Sequence, residues 1–185
     1  MKPWIGFLLF FLVAFALTFA VRSHRTRQTA KHADPRVYFG LRNLLLHGTR
    51  EKFGVAARSN PNEPWGVLMD WGVEKGTATV VALDDGTASI YLSGGGGYIG
   101  GGQSHESIRA AARQTVAAAK EVLPLTHATN EYPIPQRGQV AFYLLTDSGV
   151  FTASASDDDL RNHTSPLSKL GDAAQNVITQ YSHSQ

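Results

Sequence analysis

Residues 65–92 read WGVLMDWGVEKGTATVVALDDGTASIYL, and this stretch decides the fold. From Trp65 to Val73 the chain alternates, placing Trp65, Val67, Met69 and Trp71 on one face and Leu68 and Asp70 on the other. Period-two alternation of this kind marks a strand. Glu74-Lys75-Gly76 supplies a turn. Thr77 to Leu83 is β-branched or apolar on both faces, as expected of a central strand. Asp85-Gly86 is a strong hairpin signal, so Thr87 to Leu92 returns as a third strand. The three strands form an antiparallel meander.

Downstream, a glycine-rich stretch from Gly94 to Gly102 leads to a helix that Ser104 can cap and whose first turn carries Glu106. Its apolar stripe is Ile108, Ala111, Ala112, Val116, Ala119, Val122 and Leu123, with Arg109, Arg113, Lys120 and Glu121 opposite. The alanines predict a close approach to the sheet. Pro124 ends this helix, and residues 125–138 read as a loop. Gln139 to Thr146 and Val150 to Ser156 form two more strands around the turn Asp147-Ser148-Gly149. Ser165-Pro166 then opens a helix with a stripe at Leu167, Leu170, Ala174, Val177, Ile178 and Tyr181.

Upstream, Asp34-Pro35 starts a helix carrying Val37, Tyr38, Leu41, Leu44 and Leu45, and Gly48 can end it. Residues 49–64 read as a connecting loop. The expected architecture is α+β: a five-stranded, mostly antiparallel sheet with about three helices in the order α-βββ-α-ββ-α. It occupies residues 35–185, behind an N-terminal transmembrane helix.

The helix–sheet–helix–sheet–helix order over about residues 35–182 resembles roadblock and longin-type domains, and more distantly profilin-like ones. Roadblock domains place two strands before the middle helix and three after it, where three and two are read here. The stretch Trp65 to Gly102 also resembles small uncharacterised bacterial proteins. These likenesses imply an architecture and no activity.

The anchor is read from Trp4 to Val21, WIGFLLFFLVAFALTFAV, eighteen residues without a charge. A helix of that length spans about 27 Å, close to the hydrocarbon thickness of a bilayer. Trp4, Phe7, Leu8, Phe11, Phe15 and Phe19 would meet the lipid. The alternative is a cleaved signal peptide, with Lys2 before the apolar run and Thr18-Phe19-Ala20 as a small-x-small site. A basic tether follows over residues 22–34. Residues 1–36 hold six bases against one acid, net +5, whereas the remainder holds eleven bases against fourteen acids, net −3. The positive flank predicts a single-pass protein of the cell membrane with a cytoplasmic domain; cleavage would instead give a secreted or periplasmic one. A mildly acidic domain argues against nucleic-acid binding.

The composition narrows the chemistry. The chain has 185 residues, 43% of them hydrophobic and 17% charged, and no cysteine. It therefore holds no disulfide, thiolate nucleophile or cysteine-ligated metal. Gly95-Gly96-Gly97-Tyr98-Ile99-Gly100 matches G-x-G-x-x-G before a helix N-terminus, where exposed amides can bind an anion. Gly95, Gly97, Tyr98, Gly100 and Ser104 are the residues such a ligand loop would use. The meander before the loop and the Pro-bearing segment after the helix do not make the parallel βαβ unit of a dinucleotide site. A flexible connection or close backbone packing explains the glycines equally simply, and is the favoured reading.

Ser104-His105-Glu106 points in three directions on a helix and cannot form a triad. The seven histidines make no paired metal spacing, and Asp157-Asp158-Asp159 lacks the glycine and distal glutamate of a calcium loop. Trp65, Trp71, Tyr91 and Tyr98 belong to a core unless one sheet face lies open to a partner. The first expectation is thus a membrane-tethered, non-enzymatic interaction or scaffold domain without cofactor. It would contact lipid through residues 4–21 and present its sheet face or loops to a protein partner or a second copy. The alternative is a small-molecule or anion-binding domain, conceivably enzymatic, that uses the Gly94–Gly102 loop.

Overall fold

The computed structural model describes residues 35–184. Helix α1 (Pro35–Leu46) is followed by a 3-10 turn (Arg50–Phe53) and four strands: β1 (Gly66–Val73), β2 (Gly76–Leu83), β3 (Ala88–Leu92) and β4 (Gly97–Ile99). Helix α2 (Glu106–Val122) leads through β5 (His127–Thr129) to the hairpin β6 (Gln139–Thr146) and β7 (Gly149–Ser156). Helices α3 (Asp157–Arg161) and α4 (Ser168–His183) complete the described chain.

All seven strands belong to one sheet, in the order β4-β3-β2-β1-β6-β7-β5, and every neighbouring pair is antiparallel. The meander β1 to β4 and the β6–β7 hairpin join along β1 and β6, where Met69 faces Phe142.

The sheet separates two cores. Val67, Met69, Val80, Ala82, Ile90, Phe142 and Leu144 point to α2 and α4, meeting Ile108, Val116, Leu170 and Val177. Ala111, Ala112 and Ala119 lie in this layer with essentially no solvent exposure, and their small side chains let α2 approach the strands closely. Leu68, Val81, Leu83, Tyr91, Tyr143 and Leu145 point the other way, to Tyr38, Leu45 and Leu46 of α1 and to Trp65. Each fully buried Leu or Phe contributes roughly 1.5–3 kcal/mol. The central strand β2 is buried from Thr77 to Leu83 because a helical layer covers each face, and its Thr79 hydroxyl is paired with Asp70.

Several expectations are corrected. The sheet has seven strands instead of five, because β4 lies inside the glycine-rich stretch and β5 inside the segment read as a loop. Both are three-residue edge strands, Gly-Tyr-Ile and His-Ala-Thr, too short to show alternation; backbone pairing to β3 and β7 makes them.

Four helices are described instead of three. The acidic run 157–161 is itself helical, because Ser156 accepts a hydrogen bond from the Asp159 N–H at 3.0 Å and caps it. Helix α2 begins one residue later than a Ser104 cap requires, with extended His105 as N-cap. The expected transmembrane helix is not among the described helices, none of which is long and apolar enough to cross a membrane. Trp4, Phe7, Leu8, Phe11, Phe15 and Phe19 and the tether 22–34 lie outside the described residues.

Trp65 and Trp71 do not share an open face. Trp65 precedes β1 and packs in the α1 layer on Phe53, with ring centroids 6.0 Å apart, while half-buried Trp71 packs on the α2/α4 layer.

Candidate functional site

The glycine-rich stretch forms one corner of the molecule. Between β3 and β4 the chain turns through Gly95 and Gly96 at φ +101° and +85°, a left-handed conformation that disfavours side chains. Gly97 then pairs with Tyr91 so closely that a Cβ there would lie 2.2 Å from the Ile90 carbonyl oxygen. Three backbone amides of this corner are engaged within the protein. Gly95 N–H donates to the Leu92 carbonyl at 2.8 Å, Gly100 N–H to Ser89 Oγ at 3.2 Å, and Gly101 N–H to the Tyr181 hydroxyl at 2.9 Å. Tyr181 in turn donates to the Ala88 carbonyl at 2.7 Å, fastening α4 to the corner. Arg109 Nε donates to the Gly102 carbonyl at 2.9 Å from α2.

The structure does not gather Gly95, Gly97, Tyr98, Gly100 and Ser104 at one point: Gly94 and Gly95 turn beyond the Leu92 end of β3, beside Lys75 of the β1–β2 turn, whereas Gly100 to Ser104 lie past the Ile99 end of β4, where Gly102 sits against Gly86 of the β2–β3 turn. Tyr98 stacks on Tyr181 with centroids 5.2 Å apart. Tyr98 stays exposed and Ile99 is 72% exposed on β4, the last strand of the sheet, and Leu92 is exposed at the end of β3 beside it.

A second group lies beneath α1. Arg42 and Asp70 are 3% and 0% exposed. Arg42 Nε donates to Asp70 Oδ2 at 2.8 Å, and its Nη2 donates to the Tyr132 carbonyl at 3.0 Å. Thr79 donates its only hydroxyl proton to Asp70 Oδ1, so Tyr38, 2.9 Å from Thr79 Oγ1, must donate to Thr79. The guanidinium sits 5.4 Å from the centre of the Tyr143 ring. Burial pushes the Asp70 carboxyl above its ordinary value, against the pull of Arg42 and Thr79. Burial also pushes the Tyr143 phenol up to about 12 and raises that of Tyr38. Every polar group here has a partner within the chain, which suits a clamp between α1 and the sheet more than a reacting centre.

The third place is an open cleft of about 570 Å³ where the segment Leu46–Glu51, the segment 129–132 and the β6–β7 turn meet. Arg50 spans it, donating from Nε to Asp147 Oδ2 at 2.9 Å and pairing with Glu51 at 2.7 Å. Hydrogen bonds, first from its own backbone N–H and then from Thr49, hold the Glu51 carboxyl below its ordinary value. The indole of Trp65 forms part of the wall. Its Nε1 is buried and has no hydrogen-bond partner. Sequence reading missed this cleft, because its walls come from four separated segments and no motif links them. The residue type offers one signal: a tryptophan next to a strand start brings a donor that burial must satisfy.

Among the described residues, no three His, Asp or Glu side chains gather where a metal ion could be held. No family model, curated protein or solved structure matches the chain.

Proposed function

We propose that the chain is a non-enzymatic interaction module, associated with lipid through residues 4–21, that offers the β4 edge of its sheet to a protein partner, a second copy of the chain included. The observation that carries this is the exposure of Tyr98 and Ile99 on the terminal strand β4, with Leu92 exposed at the end of neighbouring β3. Helices cover both sheet faces, so the edge takes the place of the open face expected from the sequence. Edge strands carry unpaired N–H and C=O groups that an incoming strand can complete, and apolar side chains beside them supply burial.

A photocrosslinking residue at position 99 of the full chain in membranes tests this. A crosslinked species that is absent with the same probe at Gln175, exposed on α4, supports the reading. Monomer at both positions overturns it.

A second reading is favoured by one observation, the unpartnered Trp65 Nε1 at the cleft. A small ligand with a hydrogen-bond acceptor that opens the wall over this buried nitrogen would satisfy the indole donor and meet Arg50 and Asp147. Thermal-shift screening against neutral and acidic small molecules, repeated on Trp65→Phe, separates the two readings.

A further inference from the structure

Three of the large apolar side chains exposed in the described chain lie on one helix. On α1, Val37 is 60% exposed, Phe39 44% and Leu44 53%. Val37, Gly40 and Leu44 are spaced i, i+3, i+7 and share a face. A Cβ at Gly40 would meet nothing within 4 Å. The inner face is fully used, with Tyr38, Arg42, Leu45 and Leu46 buried against the sheet.

The helix has no acidic residue, and Arg42 is turned inward to Asp70. The outer faces of the other long helices differ. On α2 Arg113, Gln114, Lys120 and Glu121 face solvent, and on α4 Lys169, Asp172 and Gln175 do. A surface helix ordinarily shows such polar residues outward. On α1 Arg36 and Asn43 are exposed as well, and among these three helices α1 alone adds large exposed apolar side chains.

The chain before α1 indicates what covers this face. Thirteen residues, 22–34, separate the uncharged run 4–21 from Pro35, with four bases against one acid. Thirteen residues reach at most about 45 Å. If residues 4–21 associate with lipid, α1 is the first described element after the bilayer, and the intervening charge suits an anionic surface.

We propose that the outer face of α1 is a membrane-surface contact, with Val37 and Leu44 entering the boundary between headgroups and acyl chains of an anionic leaflet. Helices that lie in this plane combine an apolar face with nearby basic charge. The inference rests on the lipid association of residues 4–21 proposed above. It goes further by orienting the domain, with α1 down and the α2/α4 layer away from the bilayer.

The chain has no native cysteine, so single labels report position cleanly. Full-length Val37→Cys, Leu44→Cys and Gln175→Cys are each labelled with an environment-sensitive fluorophore. They are reconstituted into phosphatidylcholine vesicles with or without phosphatidylglycerol, some of the lipid carrying a nitroxide quencher. All three should float with the vesicles. Labels at 37 and 44 should be quenched several-fold more than the label at 175, and less when phosphatidylglycerol is omitted. Equal quenching at all three sites in floating vesicles overturns the α1 contact and leaves the lipid association standing. A blue shift at 37 and 44 without quenching shows that protein covers the face, and also overturns it. A chain that does not float overturns both.

Discussion

Arg42 and Asp70, 28 residues apart in the chain, meet at 2.8 Å in a site almost closed to water, and this pair joins α1 to β1. Forming it removes two charges from solvent. It is tolerated because Thr79, the Tyr132 carbonyl and the face of Tyr143 complete the shell.

Removing one partner should therefore be severe. Asp70→Leu leaves a buried guanidinium without its counter-charge and should cost about 3–5 kcal/mol in urea unfolding. The double variant Arg42→Met with Asp70→Leu should recover most of that loss, because no buried charge remains. A single variant that unfolds like the parent would show the pair to be dispensable.

Tyr143 supplies the pH dependence. Burial raises its phenol from 10.0 to about 12, so the folded state holds the proton more tightly than the unfolded chain does. The associated stability is complete below pH 10 and is lost as pH rises toward 12. Tyr143→Phe should flatten this alkaline loss. At neutral pH it should cost about 1 kcal/mol for the hydrogen bond to the Pro133 carbonyl. Chemical unfolding at a series of alkaline pH values reads both effects.

Asp159 gives the opposite sign. Hydrogen bonds from the Ser156 and Thr164 hydroxyls hold its carboxyl below the usual value. The stabilisation is present above the unfolded value near pH 4 and disappears as pH falls through the lower, folded one. Asp159→Asn should unfold with a shallower acid limb than the parent, followed by circular dichroism.

The glycines of the corner should divide into two kinds. A Cβ at Gly102 would lie 1.9 Å from the Gly86 carbonyl oxygen, a backbone atom with no room to move. Gly102→Ala should destabilise by about 3 kcal/mol or more through overpacking against backbone, clearly beyond the cost at Gly96. At Gly96 nothing lies within 4 Å, so Gly96→Ala should cost only the left-handed backbone term, about 1–2 kcal/mol. Comparable melting temperatures for the two would refute close packing as the reason for Gly102.

Tyr181 ties three elements together through one hydroxyl. Tyr181→Phe leaves the Gly101 N–H and the Ala88 carbonyl without their partner and should cost about 1–3 kcal/mol. Faster hydrogen exchange at Gly101, with the stack on Tyr98 retained, would locate the loss at that bond.

The elements with a period were legible. Alternation in Val67–Met69, the Asp85-Gly86 turn and the apolar stripe Ile108–Val122 recur as β1, the β2–β3 hairpin and α2. Asp70 was legible as a polar residue sharing a strand face with Leu68, yet nothing in its neighbourhood marks it as buried or names Arg42 as partner. The glycine-rich stretch was visible, but β4 within it was not, since Gly97–Ile99 owes its strand to Tyr91, Ile90 and Ser89 across the ladder. The cleft was illegible because Arg50 and Asp147, 97 residues apart, become neighbours only when β6 pairs with β1.

The chain alone determined what depends on a few neighbouring residues: strand and helix periodicity, hairpin turns, and the uncharged run before a basic segment. These follow from backbone preferences and side-chain spacing, which act over a single turn or pleat. Tertiary structure decided the order β3-β2-β1-β6, the two short edge strands, the Arg42–Asp70 clamp and which helix turns carbon outward. Those depend on backbone hydrogen bonds that almost any residue can make and on desolvation shared among distant segments, and neither leaves a mark in a local stretch of sequence.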